Sequence, residues 1–190
     1  MLSTPQDILD FWFVEVGPER WYKQSNAFDA LCRMRFGAVL YAAAAAELYA
    51  WRTGADGCDR RSSAEGRLAE IIVLDQFSRN IWRDTPLAFA QDAMALVLAQ
   101  EMVALGLDTA LPPERRAFAY LPYMHSESLA IHGVATTLFA ADGLEGNADF
   151  EAKHKAIIDR FGRYPHRNAI LGRQSTAAEI TFLAEPGSSF

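Results

Sequence analysis

Helical periodicity is the feature of this sequence that most constrains its fold. Apolar residues recur at spacings of three and four along most of the chain, and strict strand-like alternation is scarce. Helix-start signals accompany this pattern: Thr4 and Pro5 predict an N-cap and a first helical residue, and Thr176 with Glu179 predicts a capping box. The sequence therefore predicts an all-α fold of seven to eight helices. Short connections favour antiparallel helical hairpins.

Local signals also predict where individual helices begin and end. The second helix is expected to run from a cap at Ser25 to about Trp51, and Ser62 with Glu65 predicts a capping box for a buried third helix. The stretch 53–61 is rich in glycine and charge, which indicates a loop. The other helices are expected at 4–17, at 86–105, in a short stretch from 113, at 147–161 and from 176 onwards, with a sixth that Pro122 begins or kinks and that runs to about 140.

Composition narrows the class of protein. A chain of 190 residues predicts a single domain over 1–190, and 51% hydrophobic residues are typical of a globular protein. A net charge of -6 is unlike a nucleic-acid binder. Two cysteines, Cys32 and Cys58, make no disulfide framework. The apolar stretch at 40–49 is interrupted by Glu47 and falls short of a membrane span. Without a signal peptide at the N-terminus, we expect a cytoplasmic soluble protein with no membrane partner.

The segment Phe161–Arg173 concentrates polar residues beside residues that fix the backbone. Gly162 predicts the end of a helix, and Pro165 favours an extended residue before it. The guanidinium group suits carboxylate or phosphate recognition, so we expect a wall of an anion-binding pocket. Arginines near a helix C-terminus can instead bind its free carbonyl groups. The predicted ligand-binding residues of this segment are Arg163, Arg167 and Asn168, with His166 as a candidate catalytic residue.

Asp75 and Arg79 lie four residues apart on the apolar third helix, next to Asn80. Burying charged groups costs free energy unless they are paired, so this cluster needs partners. Two interpretations stay open: a structural ion pair between helices, or the wall of a pocket. In the second, Asp75 orients a histidine, and Arg79 and Asn80 bind a ligand.

His125 and Glu127 are the other candidates for acid–base chemistry. A histidine titrates near neutral pH, so His125 is a candidate general base. If the helix is regular, His125, Ser128 and His132 share one face; the alternative is two histidines satisfied on a polar stripe. A metal site from His125, Glu127 and His166 lacks the usual ligand spacing, and we predict neither a metal nor a cofactor. The lysines beside His154 suggest that it is exposed to solvent.

Five stretches together resemble the bacterial domain-of-unknown-function family 924. They span almost the whole chain in order: residues 8–13, Ile-Leu-Asp-Phe-Trp-Phe; 74–81, Leu-Asp-Gln-Phe-Ser-Arg-Asn-Ile; 88–92, Ala-Phe-Ala-Gln-Asp; 120–127, Tyr-Leu-Pro-Tyr-Met-His-Ser-Glu; and 161–168, Phe-Gly-Arg-Tyr-Pro-His-Arg-Asn. The resemblance implies an all-helical fold like the α/α superhelix of tetratricopeptide proteins. It implies no activity.

Two functions are compatible with these residues. In the first, the candidate residues converge on a pocket for a small anionic molecule, where a histidine moves protons in hydrolysis or group transfer. In the second, a tetratricopeptide-like superhelix binds a peptide or a partner protein in a concave groove and performs no chemistry. The sequence alone does not decide whether the protein is an enzyme.

Overall fold

The computed structural model describes residues 2–53 and 60–188, and it is all-α, with no strand in those two ranges. Its α-helices are α1 (Pro5–Asp10), α2 (Asn26–Ala44), α3 (Arg60–Ile72), α4 (Ser78–Ile81), α5 (Asp92–Ala104), α6 (Pro113–Met124), α7 (Leu129–Phe139), α8 (Glu145–Phe161) and α9 (Ala177–Leu183). A π-helical segment, Phe11–Val16, extends α1, and another, Val73–Phe77, joins α3 to α4. Counting α3 and α4 as one continuous helix, the described ranges hold eight, which confirms the predicted all-α class and helix number.

The continuous helix α3–α4 lies at the centre of the packing. It contacts α1, α2, α5 and α6, and its side chains Leu68, Ile71, Leu74 and Phe77 are completely buried. Helix α5 packs against α6, α6 against α7 and α7 against α8, as short connections favour. A polar residue on α3–α4 is therefore held among several helices, which places the Asp75 region inside the molecule. The tetratricopeptide-like superhelix stays a prediction.

Three helix-end predictions are confirmed in atomic detail. The Thr4 side chain accepts from the backbone of Asp7, whose carboxylate accepts in return from the backbone of Thr4. Thr176 and Glu179 form the same reciprocal capping box at the start of α9. Gly162 ends α8 with φ at 68°, a left-handed conformation that costs glycine little.

The predicted end of α2 at Trp51 was wrong. The helix ends at Ala44, and Ala46 adopts a positive φ of 59° that turns the chain. A 3₁₀ turn, Tyr49–Thr53, then packs against α3. The approach is so close that a Cβ atom on Gly66 would lie 1.9 Å from the Trp51 carbonyl oxygen. Glycine at this position is therefore required by the packing, and the run of alanines carried no stop signal.

Two other boundary predictions were wrong. Helix α3 already includes Arg60, so Ser62 and Glu65 lie inside it and form no capping box. Of the two predictions for Pro122, that it begins a helix or kinks one, the first was wrong: it lies in the last turn of α6, where its missing N–H removes one backbone hydrogen bond. The sixth predicted helix is thus divided between α6 and α7. Most of the predicted loop at 53–61, including Cys58, lies outside the described residues.

One helical stretch, 86–104, has the length and mean hydropathy (1.3) to cross a membrane, and 28% of it is buried inside the molecule. It consists of a 3₁₀ turn, Pro86–Phe89, followed by a turn and α5. Helix α5 packs against α3 and α6 and carries Asp92 and Glu101, both of which form salt bridges. These contacts are those of a helix within a folded protein. The cytoplasmic location stays a prediction.

Candidate functional site

A cavity of about 390 Å³ lies where the start of α5, the end of α6 and the segment after α8 meet. We call it the His125 cavity. Its apolar lining residues include Phe89, Leu96 and Leu171. The polar lining residues are Asp92, His125, Ser126, Glu127 and Arg167. Three segments that are distant in the sequence therefore meet at one place.

The central contact of the site joins His125 to Asp75. Asp75 lies in the π-helical segment between α3 and α4 and is 1% exposed, and His125 caps the end of α6. The His125 Nδ1 atom lies 2.7 Å from the Asp75 Oδ1 atom. Gln76 donates to the other carboxylate oxygen at 2.6 Å, and an Arg79 nitrogen lies 3.0 Å from Oδ1. The carboxylate is thus fully surrounded by donors.

Electrostatics fixes the protonation of this pair. Burial alone raises the pKa of Asp75, but the charges of Arg79 and His125 and the hydrogen bonds outweigh it and lower the pKa. Burial, with help from the Arg79 charge, lowers the pKa of His125 despite the opposing effect of Asp75. At neutral pH His125 is therefore neutral and Asp75 is charged, so Nδ1–H donates to the carboxylate.

The other ring nitrogen of His125 is available for chemistry. Nε2 has no hydrogen-bond partner among the residues that the structure describes, and the side chain forms part of the cavity wall. Because Nδ1 carries the proton, Nε2 holds a lone pair and can accept a proton from a bound molecule. Asp75 would stabilise the resulting imidazolium.

Asp92 binds the two arginines of the site. Arg79 donates to both of its oxygens at 2.9 and 3.0 Å, and Arg167 donates to one of them at 3.1 Å. Arg167 also donates to the His125 carbonyl oxygen at 3.0 Å, and its guanidinium lies 4.6 Å from the ring centroid of Phe89. The positive charges of Arg79 and Arg167 balance the negative charges of Asp75 and Asp92. These four residues therefore have no net charge while His125 is neutral.

Glu127 holds the segment after α8 in place. Its carboxylate accepts from both terminal nitrogens of Arg173, at 2.6 and 2.9 Å, and from the backbone N–H of Tyr164 at 2.8 Å. Burial raises the pKa of Glu127, but the hydrogen bonds from Arg173 and Tyr164 and the charges of Arg173 and Arg167 together outweigh it and lower the pKa. The carboxylate is therefore charged, and its contacts are those of a positioning residue at the edge of the cavity.

The remaining predicted residues make their contacts elsewhere. His166 packs its ring 5.5 Å from that of Tyr164, and burial lowers its pKa to about 4. Arg163 donates to both carboxylate oxygens of Glu179 at 2.7 and 2.8 Å, which ties the end of α8 to α9. Asn168 is completely buried and donates to the Ser175 hydroxyl at 3.1 Å. Asn80 lines a different cavity. The structure thus gathers Asp75, Arg79, His125, Glu127 and Arg167 at one site.

A second histidine–carboxylate pair lies near the first. His132 and Glu151 are both buried and join at 2.7 Å, and the His132 Nε2 atom contacts the Ser126 carbonyl oxygen at 2.9 Å. The predicted shared face of His125, Ser128 and His132 was wrong, because His125 ends α6 and Ser128 precedes α7. The structure confirms that His132 is hydrogen-bonded within the protein, but it is completely buried and does not lie on a polar stripe.

The prediction that His154 is exposed to solvent was wrong. His154 is 7% exposed rather than solvated, and its Nδ1 atom lies 2.8 Å from the Phe150 carbonyl oxygen. Burial lowers its pKa to about 3.

Burial also raises the pKa of the Cys32 thiol to about 12, which does not suit a nucleophile. Within residues 2–53 and 60–188, no group of three or more potential ligands could hold a metal ion.

Comparisons with known proteins agree with this structure. A family model described as a bacterial protein of unknown function, DUF924, matches residues 8–187. The chain belongs to this family. The chain is also 37% identical to the protein of unknown function ATU0120 from Agrobacterium tumefaciens, over 95% of this chain and 96% of that one. That structure superposes with a TM-score of 0.85, which supports the all-α DUF924 fold. No curated protein matches the chain.

Proposed function

We propose that the His125 cavity binds a small molecule and that His125 acts there as a general base in hydrolysis or group transfer. The observation that carries this proposal is the 2.7 Å contact between His125 Nδ1 and the buried Asp75 carboxylate, in the wall of a cavity. A carboxylate that orients a histidine and stabilises its charged form is a recurring arrangement in enzymes that move protons.

The proton transfer follows from the tautomer. Nε2 accepts a proton from a water molecule or a ligand hydroxyl, and that oxygen attacks the ligand's electrophilic centre. His125 becomes an imidazolium beside the Asp75 carboxylate, which opposes the cost of burying the new charge. His125 then returns the proton to the leaving group. Asp75 is the positioning residue, since it acts through His125.

The walls define the class of ligand. Phe89, Leu96 and Leu171 offer apolar contacts, and Asp92, His125 and Arg167 offer polar ones. Arg167 would hold an anionic group of the ligand, but Asp92 already binds its guanidinium. An anion would therefore compete with Asp92. This balance favours a partly apolar ligand whose reacting group is neutral over one that is fully charged.

The size of the cavity favours this function over peptide binding. A volume of about 390 Å³ lies within the range of small-molecule sites, about 300–1,000 Å³. A peptide reader of tetratricopeptide type would instead offer a long groove lined along several helices. The peptide-binding module remains the alternative, and the following experiment separates the two.

The test is a thermal-shift screen of neutral, carboxylated and phosphorylated metabolites, together with short peptides. Leu96→Trp fills the cavity, and Val97→Trp, at an exposed neighbouring position on the same helix, is the matched control. We expect hits that stabilise the wild type and Val97→Trp but not Leu96→Trp. Hits that stabilise all three proteins equally, or peptides alone as hits, would overturn the proposal.

The catalytic role has its own readout. For each hit, turnover is followed by mass spectrometry with the wild type and with the His125→Gln variant. We expect the substitution to reduce kcat by about 100-fold or more while the ligand-induced thermal shift is retained, because only the proton acceptor is lost. Equal turnover in both proteins would leave the cavity as a binding site and remove His125 from the chemistry.

A further inference from the structure

A second cavity, of about 230 Å³, lies between the first half of α2 and the end of α4. It shares no lining residue with the His125 cavity, and we call it the Asn80 cavity. Its side chains are almost all polar: Asn26, Asp29, Arg33, Asn80, Arg83 and Asp84. Asn80 follows Arg79 in the short helix α4, and Arg79 donates to Asp92, which lines the His125 cavity.

Asn80 points to a ligand. Its side chain is 8% exposed and lines the cavity, and it makes no hydrogen bond within the part of the chain that the structure describes. Buried amide groups are almost always hydrogen-bonded in folded proteins, because leaving one unpaired costs free energy. The amide of Asn80 therefore offers both a donor and an acceptor to a molecule in this cavity.

The two arginines supply positive charge with unused donors. Arg83 donates through Nε and Nη2 to the two oxygens of Asp29, at 2.6 and 2.9 Å, which leaves its Nη1 atom. Arg33 donates through Nη2 to the Ile81 carbonyl oxygen at 2.6 Å, and no carboxylate in the described ranges pairs with it. Arg33 is thus a cation held in place by a backbone carbonyl.

The two carboxylates of the cavity equal the two arginines in formal charge, so the arrangement of these groups matters more than their sum. Asp29 is 6% exposed, and Arg83 occupies both of its oxygens. Asp84 and Arg33 are both exposed, so water screens both charges, and the charge of Asp84 also acts on Arg83. Asp84 has a positive φ of 60°, which aspartate tolerates better than most residues. Asp84 also gives the site an acceptor for a cationic or hydroxyl group at the rim.

We propose that the Asn80 cavity is a second ligand site, which binds a small oxyanion, a carboxylate or a phosphate group, through Arg33, Arg83 and Asn80. The guanidinium groups supply charge-assisted hydrogen bonds, and the Asn80 amide adds a buried donor. The volume suits a short carboxylic acid or a phosphate group rather than a larger ligand. This site is independent of the chemistry proposed for His125.

The test is titration calorimetry of the full chain with inorganic phosphate and, separately, with succinate, at constant ionic strength set with sodium chloride. Arg33→Gln removes the unpaired cation. Arg35→Gln is the matched control. It removes the same charge at a position two residues after Arg33, from an arginine that already pairs with Glu15. Asn80→Leu removes the buried amide without changing the net charge.

We expect saturable binding of at least one probe, weakened about tenfold or more by Arg33→Gln and by Asn80→Leu and about twofold or less by Arg35→Gln. The probe that binds assigns the site to phosphate or to carboxylate. No saturable heat with either probe would overturn the proposal. The same weakening in Arg35→Gln as in Arg33→Gln would also overturn it, because it would show a response to net charge alone.

Discussion

Two histidine–carboxylate pairs of the same length have different surroundings in this protein. His125 with Asp75 and His132 with Glu151 each join at 2.7 Å, and in both the carboxylate is about 1% exposed. The Nε2 atom of His132 contacts the Ser126 carbonyl oxygen and lies 3.2 Å from the Tyr164 hydroxyl. The second nitrogen of His125 has no such contact among the described residues and belongs to a cavity wall.

This difference shows that the pair itself does not indicate function. A buried carboxylate stabilises and orients an imidazole in both cases. Where the second nitrogen is also occupied by protein, the pair joins helices, here α7 to α8. Where it faces a cavity, the same pair can accept a proton from a ligand. The surroundings of Nε2 therefore separate the structural pair, which we call sealed, from the candidate catalytic one, which we call open.

The largest expected effect is on the sealed pair. Glu151→Ala leaves His132 buried without its carboxylate, and we expect a loss of about 3–5 kcal/mol in the free energy of unfolding, measured in urea. Asp159→Ala is the matched control on the same helix, because Asp159 is exposed and pairs with Lys155 across one turn. If both variants lose equal stability, the distinction between sealed and open pairs fails.

The pH dependence of stability tests the surroundings of the sealed pair. Burial lowers the pKa of His166 to about 4 and that of His154 to about 3. Below pH 6.5 these side chains take up protons in the unfolded chain but not in the folded one. Stability should therefore be fully present above pH 6.5 and fall with decreasing pH, by up to about 1.4 kcal/mol per pH unit for each histidine.

His166→Asn isolates one histidine. We expect its urea-unfolding free energy to fall by about 2 kcal/mol less than that of the wild type between pH 6.5 and pH 5. This pH range lies above the ordinary pKa values of Asp75 and Glu127, 3.8 and 4.5, and the folded protein lowers both pKa values further. These carboxylates therefore stay charged throughout the measurement. An equal fall in both proteins would show that His166 is solvated in the folded state.

The smallest expected effect is on the open pair. His125→Gln leaves Asp75 bound to Arg79 and Gln76, so we expect a loss of about 1 kcal/mol or less in the free energy of unfolding. The same substitution at His132 should cost about 3 kcal/mol or more, since it disrupts the sealed pair. Equal losses at the two positions would make His125 a structural residue like His132.

Much of the fold was predictable because helix ends carry local signals. Thr4, Thr176 and Gly162 mark helix ends through contacts within a few residues, and all three predictions are confirmed. The end of α2 was not predictable, since Ala46 turns the chain without any residue that favours a positive φ. Pro122 was misread because a proline near the last turn of a helix disrupts little.

The site was predictable only in part, because many of its contacts join residues that are distant in the sequence. His125, Asp75 and Arg167 were recognised by residue type and by their apolar surroundings. Asp92 was missed, and Arg173 was noted only as a member of the polar segment Phe161–Arg173, because their partners lie 13 to 75 residues away in the sequence. Asp92 does lie within the family-like stretch 88–92, which was the available signal. Whether a histidine faces a cavity or a carbonyl oxygen depends on packing that no local pattern encodes.

The most direct test is the tautomer of His125, read from the ring nitrogens by long-range ¹H–¹⁵N NMR at pH 7. The chain has four histidines, so single substitutions assign every signal. We predict that His125 is neutral, with the proton on Nδ1 and an unprotonated Nε2, and that a ligand of the His125 cavity shifts the Nε2 signal. A proton on Nε2, or a charged imidazolium at this pH, would contradict a general base at this site.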